Sequence, residues 1–276
     1  MTMRKIGYYS AVYILLILSF AFLLVPIIWV FLASLTEPRQ ITSGSLWPGL
    51  RSLTLDSYRR TLGSADVRIH LRNSFVIASM TTIATLLIAT LAAYSTSRFA
   101  RISGASITVV VLSQMFPYVL LMIPFYQLAL QFNALDSYAS IVFTHVVVAL
   151  PFSFWMLKSY FDNVPRDLDE AALIDGCNYI SLLYRVILPC AAPGLVVVAF
   201  FAFVSSWGEY MFASILSQSK QTATITVLLQ GYISGRRIEW GLVSASTILS
   251  IAPTVILFAL TQRWLVAGLM SGAVKE

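Results

Sequence analysis

The sequence predicts an all-α protein that crosses a membrane six times, and three observations carry that prediction. Of its 276 residues, 58% are hydrophobic and 11% charged, against about 25% charged in an average soluble domain. The apolar residues gather into six long runs, none of which contains a Lys or Arg. Each run approaches the ~20 residues needed to cross about 30 Å of hydrocarbon. Inside a bilayer the backbone must satisfy its own hydrogen bonds, and a helix does so within one segment.

The runs fall at Tyr9–Ala33, Asn73–Ser97, Ser103–Leu128, Tyr138–Leu157, Leu188–Ala213 and Gly241–Gln262. The first follows Arg4 and Lys5 as a signal peptide would, but it exceeds the ~7 to 15 residues of a signal h-region and is read as a retained span. Residues 1–276 thus form one membrane domain. Its largest connections are the first, 34–72, where Ser57 to His70 suits an amphipathic surface helix, and the fourth, 158–187.

Cys177 and Cys190 lack the number and spacing of a zinc site or a disulfide framework. The net charge of +6 is spread among connections instead of forming one stripe, which argues against nucleic acid and suits anionic lipid headgroups. With both termini on the cytoplasmic side, the 18 Lys and Arg residues divide evenly between the two faces. Charge counting therefore does not orient the chain.

The fourth connection is the most informative. Asn163 is a natural helix cap and Pro165 suits a first helical turn. Asp167, Asp169 and Glu170 fall near the positive end of the helix dipole, and Gly176 is a natural stop. Leu168, Ala171 and Ala172 share a face, where small side chains let another surface approach closely. A second short helix, with Ile180, Leu183, Tyr184 and Ile187 as its apolar side, is expected before Pro189 opens the fifth span.

Glu170-Ala171-Ala172, three residues, Gly176, nine residues, then Val186-Ile187-Leu188-Pro189 resembles the EAA loop of ABC importer permeases; Val186 is the departure. Leu91-Ala92-Ala93-Tyr94 with Ser97-Arg98-Phe99 resembles the end of the second span in carbohydrate permeases of the maltose-transporter type. Trp207-Gly208-Glu209-Tyr210 resembles their W-N-E-F segment, with Gly208 and Tyr210 departing. Gly268-Leu269 and Gly272-Ala273-Val274-Lys275 resemble their terminal segment.

The resemblance implies a bacterial inner-membrane permease subunit with both termini cytoplasmic, whose fourth connection is a coupling helix seated on an ATPase. Asp169, Glu170, Ala171, Ala172, Asp175, Gly176, Leu188 and Pro189 would serve that contact, and Gly272, Ala273, Val274 and Lys275 would reach toward the ATPases. The implied partners are a second permease, two ATPase subunits carrying ATP and magnesium, and an extracytoplasmic substrate-binding protein. The implied cargo is a sugar.

The chain has no G-x-x-x-x-G-K-[ST] loop, so the ATPase is expected to be another chain, with no cofactor on this one. With His70 and His145 its only histidines, there is no catalytic or metal constellation to assign. Polar residues in spans cost energy unless they face a cavity or a partner, so Gln114, Tyr118, Trp207, Glu209 and Tyr210 are the candidates for the transport path. Glu209 lies 20 residues beyond Pro189, roughly 30 Å along an unbroken helix. Pro117 and Pro124 are placed to kink the third span. His145 reads as a hydrogen-bonded packing residue, and Phe152, Phe154 and Trp155 as core or belt residues.

Spans without Lys or Arg suit a neutral polyol better than an anionic cargo. The alternatives are a permease for glycerol phosphate or another small solute, and a membrane receptor or scaffold with no transport role.

Overall fold

The computed structural model describes residues 3–37, 53–99, 108–110, 112–234 and 238–273. Four helices are long and apolar enough to cross a bilayer on their own. They are α1 (Met3–Leu35), α3 (Ala65–Arg98), α5 (Tyr138–Asp162) and α11 (Trp240–Ala273). Two bent pairs complete the set, Thr108–Met115 with Tyr118–Gln131 and Tyr179–Cys190 with Ala192–Gly208; counting each pair as one span gives six. Between them lie α2 (Asp56–Gly63), α4 (Met122–Gln131), α6 (Arg166–Ile174), α7 (Tyr179–Cys190), α8 (Ala192–Gly208), α9 (Met211–Leu216) and α10 (Ile225–Ser234). Among the described residues the one β feature is a bridge between Thr36 and Leu53.

The chain forms two compact units, Met1–Arg68 with Leu229–Ala252 and Ile69–Leu228 with Pro253–Glu276. In the first unit the end of α1 is tied to α2: Ser34 Oγ lies 2.8 Å from Tyr58 OH, and Thr54 N donates to Leu35 O at 2.6 Å. Trp29 meets Trp240 edge-on at 6.2 Å, and Arg60 pairs with Glu239 at 2.8 Å. Along α1 the side chains of Leu15, Ile17 and Phe22 are exposed. That outward apolar surface is untenable in water and ordinary in hydrocarbon.

The surface helix expected over Ser57–His70 is divided. It stops at Gly63, Ser64 turns to an extended conformation, and α3 starts at Ala65, eight residues before the expected second span. Ser64 Oγ accepts the Val67 N–H at 3.4 Å, so the serine opens the new helix as a cap.

The third span breaks at Pro117, where the two arms diverge by 86°. The proline cannot donate to the preceding turn and keeps Phe116 out of helical geometry. Pro124 adds no kink, because it falls in the first turn of α4, where no intrahelical donor is needed. The fifth span turns by 81°. Pro189 belongs to the last turn of α7, and α8 begins at Ala192 with Pro193 in its first turn. Thus Pro189 does not open the membrane arm.

The second unit has two apolar cores. One gathers Ala89, Ala93, Tyr94, Phe154, Leu157, Phe161, Ala172, Leu182, Leu183 and Ile187; the other gathers Ile77, Ile141, Val142, Phe212 and Leu216. The turn Leu183–Ile187 is π-helical, which aligns residues five apart. Leu182 and Ile187 consequently face inward together with Leu183, whereas Ile180 and Tyr184 are exposed, unlike the side expected from an α-helical period.

Gly194 marks a close approach of α5 and α8: a Cβ there would lie 2.4 Å from Tyr160 Cγ. Gly194→Val therefore overpacks the contact by about 1–3 kcal/mol, read as a lowered unfolding midpoint in detergent. Adding Tyr160→Leu recovers part of the loss, since the Tyr160 hydroxyl is buried without a partner.

Candidate functional site

The loop between α5 and α7 is built from its ends inward. Asn163 closes α5 instead of opening α6, and Pro165 is the flanking residue before Arg166. The shift follows from proline, which disfavours helical geometry at the residue before it and so lets α6 start only after it. Asp167 and Asp169 then lie in the first turn. At the other end Gly176 takes φ +85°. Its N–H donates to Leu173 O at 3.1 Å and that of Cys177 to Ala172 O at 3.0 Å, closing the helix as a Schellman motif. Asn178 then caps α7 through Ser181 N at 2.8 Å.

This helix pair has two unlike faces. Ala172 is buried in the first core, and Asp169 is turned inward against Arg98. Leu168, Glu170, Ala171, Ile174, Asp175 and Gly176 are exposed, as are Ile180 and Tyr184 on α7. Leu188 packs against the core, while Pro189 is exposed.

Arg98 was not among the expected site residues. Its Nη1 donates to Phe161 O at 3.0 Å, and its Nη2 donates to Val164 O at 3.2 Å and to Asp169 Oδ1 at 3.3 Å. Its Nε lies 2.6 Å from Asp169 Oδ2, a close ion pair whose angle falls short of a hydrogen bond. A cation here meets the carbonyl end of α5 and an aspartate at the start of α6, both favourable. The sequence signal was the Tyr-x-x-Ser-Arg spacing that ends α3.

The expected transport-path residues are not brought together. Gln114 and Tyr118 flank the break at Pro117 and are exposed. Trp207 is buried and stacks on Phe203 at 5.6 Å, whereas Tyr210 is 40% exposed. Glu209 ends α8 in an extended conformation and caps α9: Oε1 accepts Phe212 N at 2.9 Å and Oε2 accepts Ala213 N at 3.0 Å. His145 Nε2 donates to Oε2 at 2.9 Å, His145 Nδ1 meets Ser206 Oγ at 2.7 Å, and Ser206 Oγ lies 3.3 Å from Thr81 Oγ1. The network joins α3, α5 and α8, and it occupies both oxygens of the carboxylate. A cavity of about 310 Å³ between α4 and α5 is lined by Phe125, Leu128, Phe132 and Phe143; this apolar wall offers a sugar little to bond.

Beyond α9 the chain is pinned to its neighbours. Asn73 Nδ2 donates to Lys220 O at 3.1 Å and Ala223 O at 2.9 Å, and Tyr138 OH donates to Asn73 Oδ1 at 2.5 Å. Asp136, in the left-handed region at φ 55°, accepts from Gln218 N at 2.9 Å and Ser219 N at 3.0 Å through one oxygen, which also takes the Thr222 hydroxyl. That hydroxyl first, and then the other donors, hold its carboxyl down at about 2 against partial burial.

Among the described residues no group of three or more His, Cys, Asp or Glu side chains could hold a metal ion. Of the tail residues, Gly272 and Ala273 close α11, while Val274 and Lys275 lie outside the described residues.

Residues 85–270 match the family described as binding-protein-dependent transport system inner membrane component. The sulfoquinovosyl glycerol transport system permease protein SmoH of Agrobacterium fabrum is 31% identical, over 91% of this chain and 89% of that one. The trehalose/maltose transport system permease protein MalG of Thermococcus litoralis is 36% identical, over 91% of each. A chain of a bacterial ABC transporter that imports the acidic polysaccharide alginate shares the fold, with a TM-score of 0.85 at 20% identity over 95% of this chain and 98% of that one. The chain therefore belongs to the binding-protein-dependent transport system inner membrane components. It is a multi-pass ABC transporter permease, a transport subunit and not an enzyme, and ATP hydrolysis resides on separate ATPase subunits.

Two outcomes follow from these networks. Glu209→Ala strips the cap from α9 and orphans His145, costing about 2–4 kcal/mol, measured as a lowered thermal midpoint; Glu209→Gln costs less because it keeps an acceptor. The lowered carboxyl of Asp136 stabilises the fold above the ordinary value near 3.8, and this contribution is lost as pH falls toward about 2. The stability advantage of the native chain over Asp136→Asn should accordingly shrink across that window in pH-dependent unfolding.

Proposed function

We propose that this chain is one membrane-spanning subunit of an ATP-driven sugar importer of the bacterial inner membrane. It takes the stroke of a separate ATPase through the α6–α7 pair. The observation that carries the reading is the division of that pair into a locked inner face and an exposed outer face. Ile174 is 85% exposed and Ile180 69%, on a connection that leaves the apolar spans. Apolar side chains displayed on a surface loop mark a docking site, and the small, exposed Ala171 on α6 lets a partner come close.

In this proposal Glu170, Ala171, Asp175 and Gly176 meet the ATPase, and Asp169, Ala172, Leu188 and Pro189 hold the helix pair in place. The tail Gly272, Ala273, Val274 and Lys275 reaches toward the same partner. Both termini are then cytoplasmic. The remaining partners are a second permease, two ATPase copies that bind ATP and magnesium, and an extracytoplasmic substrate-binding protein. A sugar cargo is supported by the names of the relatives and by described spans that carry neutral hydrogen-bonding groups. Gln114, Tyr118 and Tyr210 are the exposed polar side chains for the path, with Trp207 and Glu209 bracing its wall.

The complex reconstituted in vesicles, with binding protein and a panel of labelled sugars, tests this reading. One sugar should stimulate ATP hydrolysis and accumulate. Glu170→Ala should cut the stimulation by about tenfold, a loss of roughly 1.4 kcal/mol of contact energy. Gly176→Pro should abolish it, because the ring forbids the positive φ that closes α6. Failure of any ATPase to associate would reject the importer reading.

A further inference from the structure

The end of α3 contacts every element of the corner that carries α6. Tyr94, Ser97 and Arg98 stand at i, i+3 and i+4, on one face of the helix. Arg98 holds the last carbonyls of α5 and the Asp169 carboxylate of α6, as described above. Ser97 works in both directions: its hydroxyl donates to Asp162 Oδ1 at 2.7 Å, and its carbonyl accepts Arg166 Nη2 at 3.2 Å. Tyr94 OH donates to Tyr179 O, at the start of α7, at 3.2 Å. Around these bonds Tyr94, Phe99, Phe161 and Tyr179 pack edge to face, with Phe99 and Tyr179 centred 5.5 Å apart. The Arg98 side chain is only 6% exposed and that of Asp169 13%, so water does little to weaken the pair.

We propose that Tyr94, Ser97 and Arg98 are positioning residues that form a strut between the second span and the α6–α7 pair. A displacement of α6 then moves α3 directly, as one body with the end of α5, instead of being absorbed by the loop at Asn163–Pro165. Buried polar bonds suit this task because they resist sliding: a fork held by two carbonyls and a carboxylate has one geometry, whereas an apolar contact tolerates many. The inference rests on the reading of α6 as the coupling helix.

The test uses the reconstituted complex with Arg98→Lys, Ser97→Ala and Tyr94→Phe, and Glu170→Ala beside them. Three quantities are read: co-purification of the ATPase subunit, unfolding midpoint, and sugar moved per ATP hydrolysed. If the strut transmits the stroke, Arg98→Lys keeps the ATPase and its basal hydrolysis but lowers sugar moved per ATP by about tenfold, the order expected from losing a buried charge-assisted hydrogen bond. Tyr94→Phe, which removes one hydroxyl, lowers it less. A ratio unchanged in all three strut variants overturns the proposal, whether they are otherwise native-like or lose stability and transport in proportion. Glu170→Ala separates the two levels of inference. If it uncouples and the strut variants do not, only the strut falls; if it too behaves as native, the coupling-helix reading falls and takes the strut with it.

Discussion

A polar atom inside hydrocarbon has no solvent to fall back on, and the rest of this structure depends on that constraint. Several hydroxyls within the spans turn back on their own helix: Thr82 donates to Ala78 O, Ser153 to Ala149 O and Thr261 to Leu257 O. Groups too large for that solution are shared between helices. Glu209, His145 and Ser206 satisfy one another across α5 and α8, so a carboxylate becomes part of the helix packing. The surfaces left over are apolar, as the outward side chains of α1 show.

Polar pins at two places in the second unit hold the spans while leaving other surfaces free. Near Asp136, one carboxylate and the Asn73 amide fasten the segment after α9 to the turn before α5 and the beginning of α3. Near Arg98, a single guanidinium fastens the end of α3 to α5 and α6. Close packing adds to these pins, as where Gly194 near the start of α8 meets Tyr160 near the end of α5. Helices fixed at their ends and packed by shape between them can shift as bodies without breaking backbone hydrogen bonds, which suits a permease.

The spans were legible because the bilayer imposes a length and a composition that a sequence cannot hide. The α6 segment was legible through its acidic first turn and Gly176, whose positive φ satisfied the expected stop. Bends were less so. Pro117 announced its break, but the turn at Ala191 and the π-helical stretch after Leu182 have no residue type of their own. Asn163 was a plausible cap on composition alone, yet Pro165 moved the helix start past it. Glu209 and Arg98 were hardest, since their meaning lies in partners 64 and 71 residues away in sequence. Spacing along one helix can show that Tyr94, Ser97 and Arg98 share a face, but not which elements that face meets.

The capping of α9 makes a local helix dependent on a distant contact. A helix of six residues cannot persist by itself, because nucleation costs more than so few bonds return. Its first donors are held by Glu209, which is in turn held by His145 on α5. The turn that follows α8 therefore depends on a contact between spans: its cap is complete only where α5 and α8 lie side by side. Met211–Leu216 thus takes its cap from outside its own six residues, while the segment after it is pinned separately to Asp136 and Asn73. The buried histidine thereby makes the geometry of a short helix conditional on the packing of two spans.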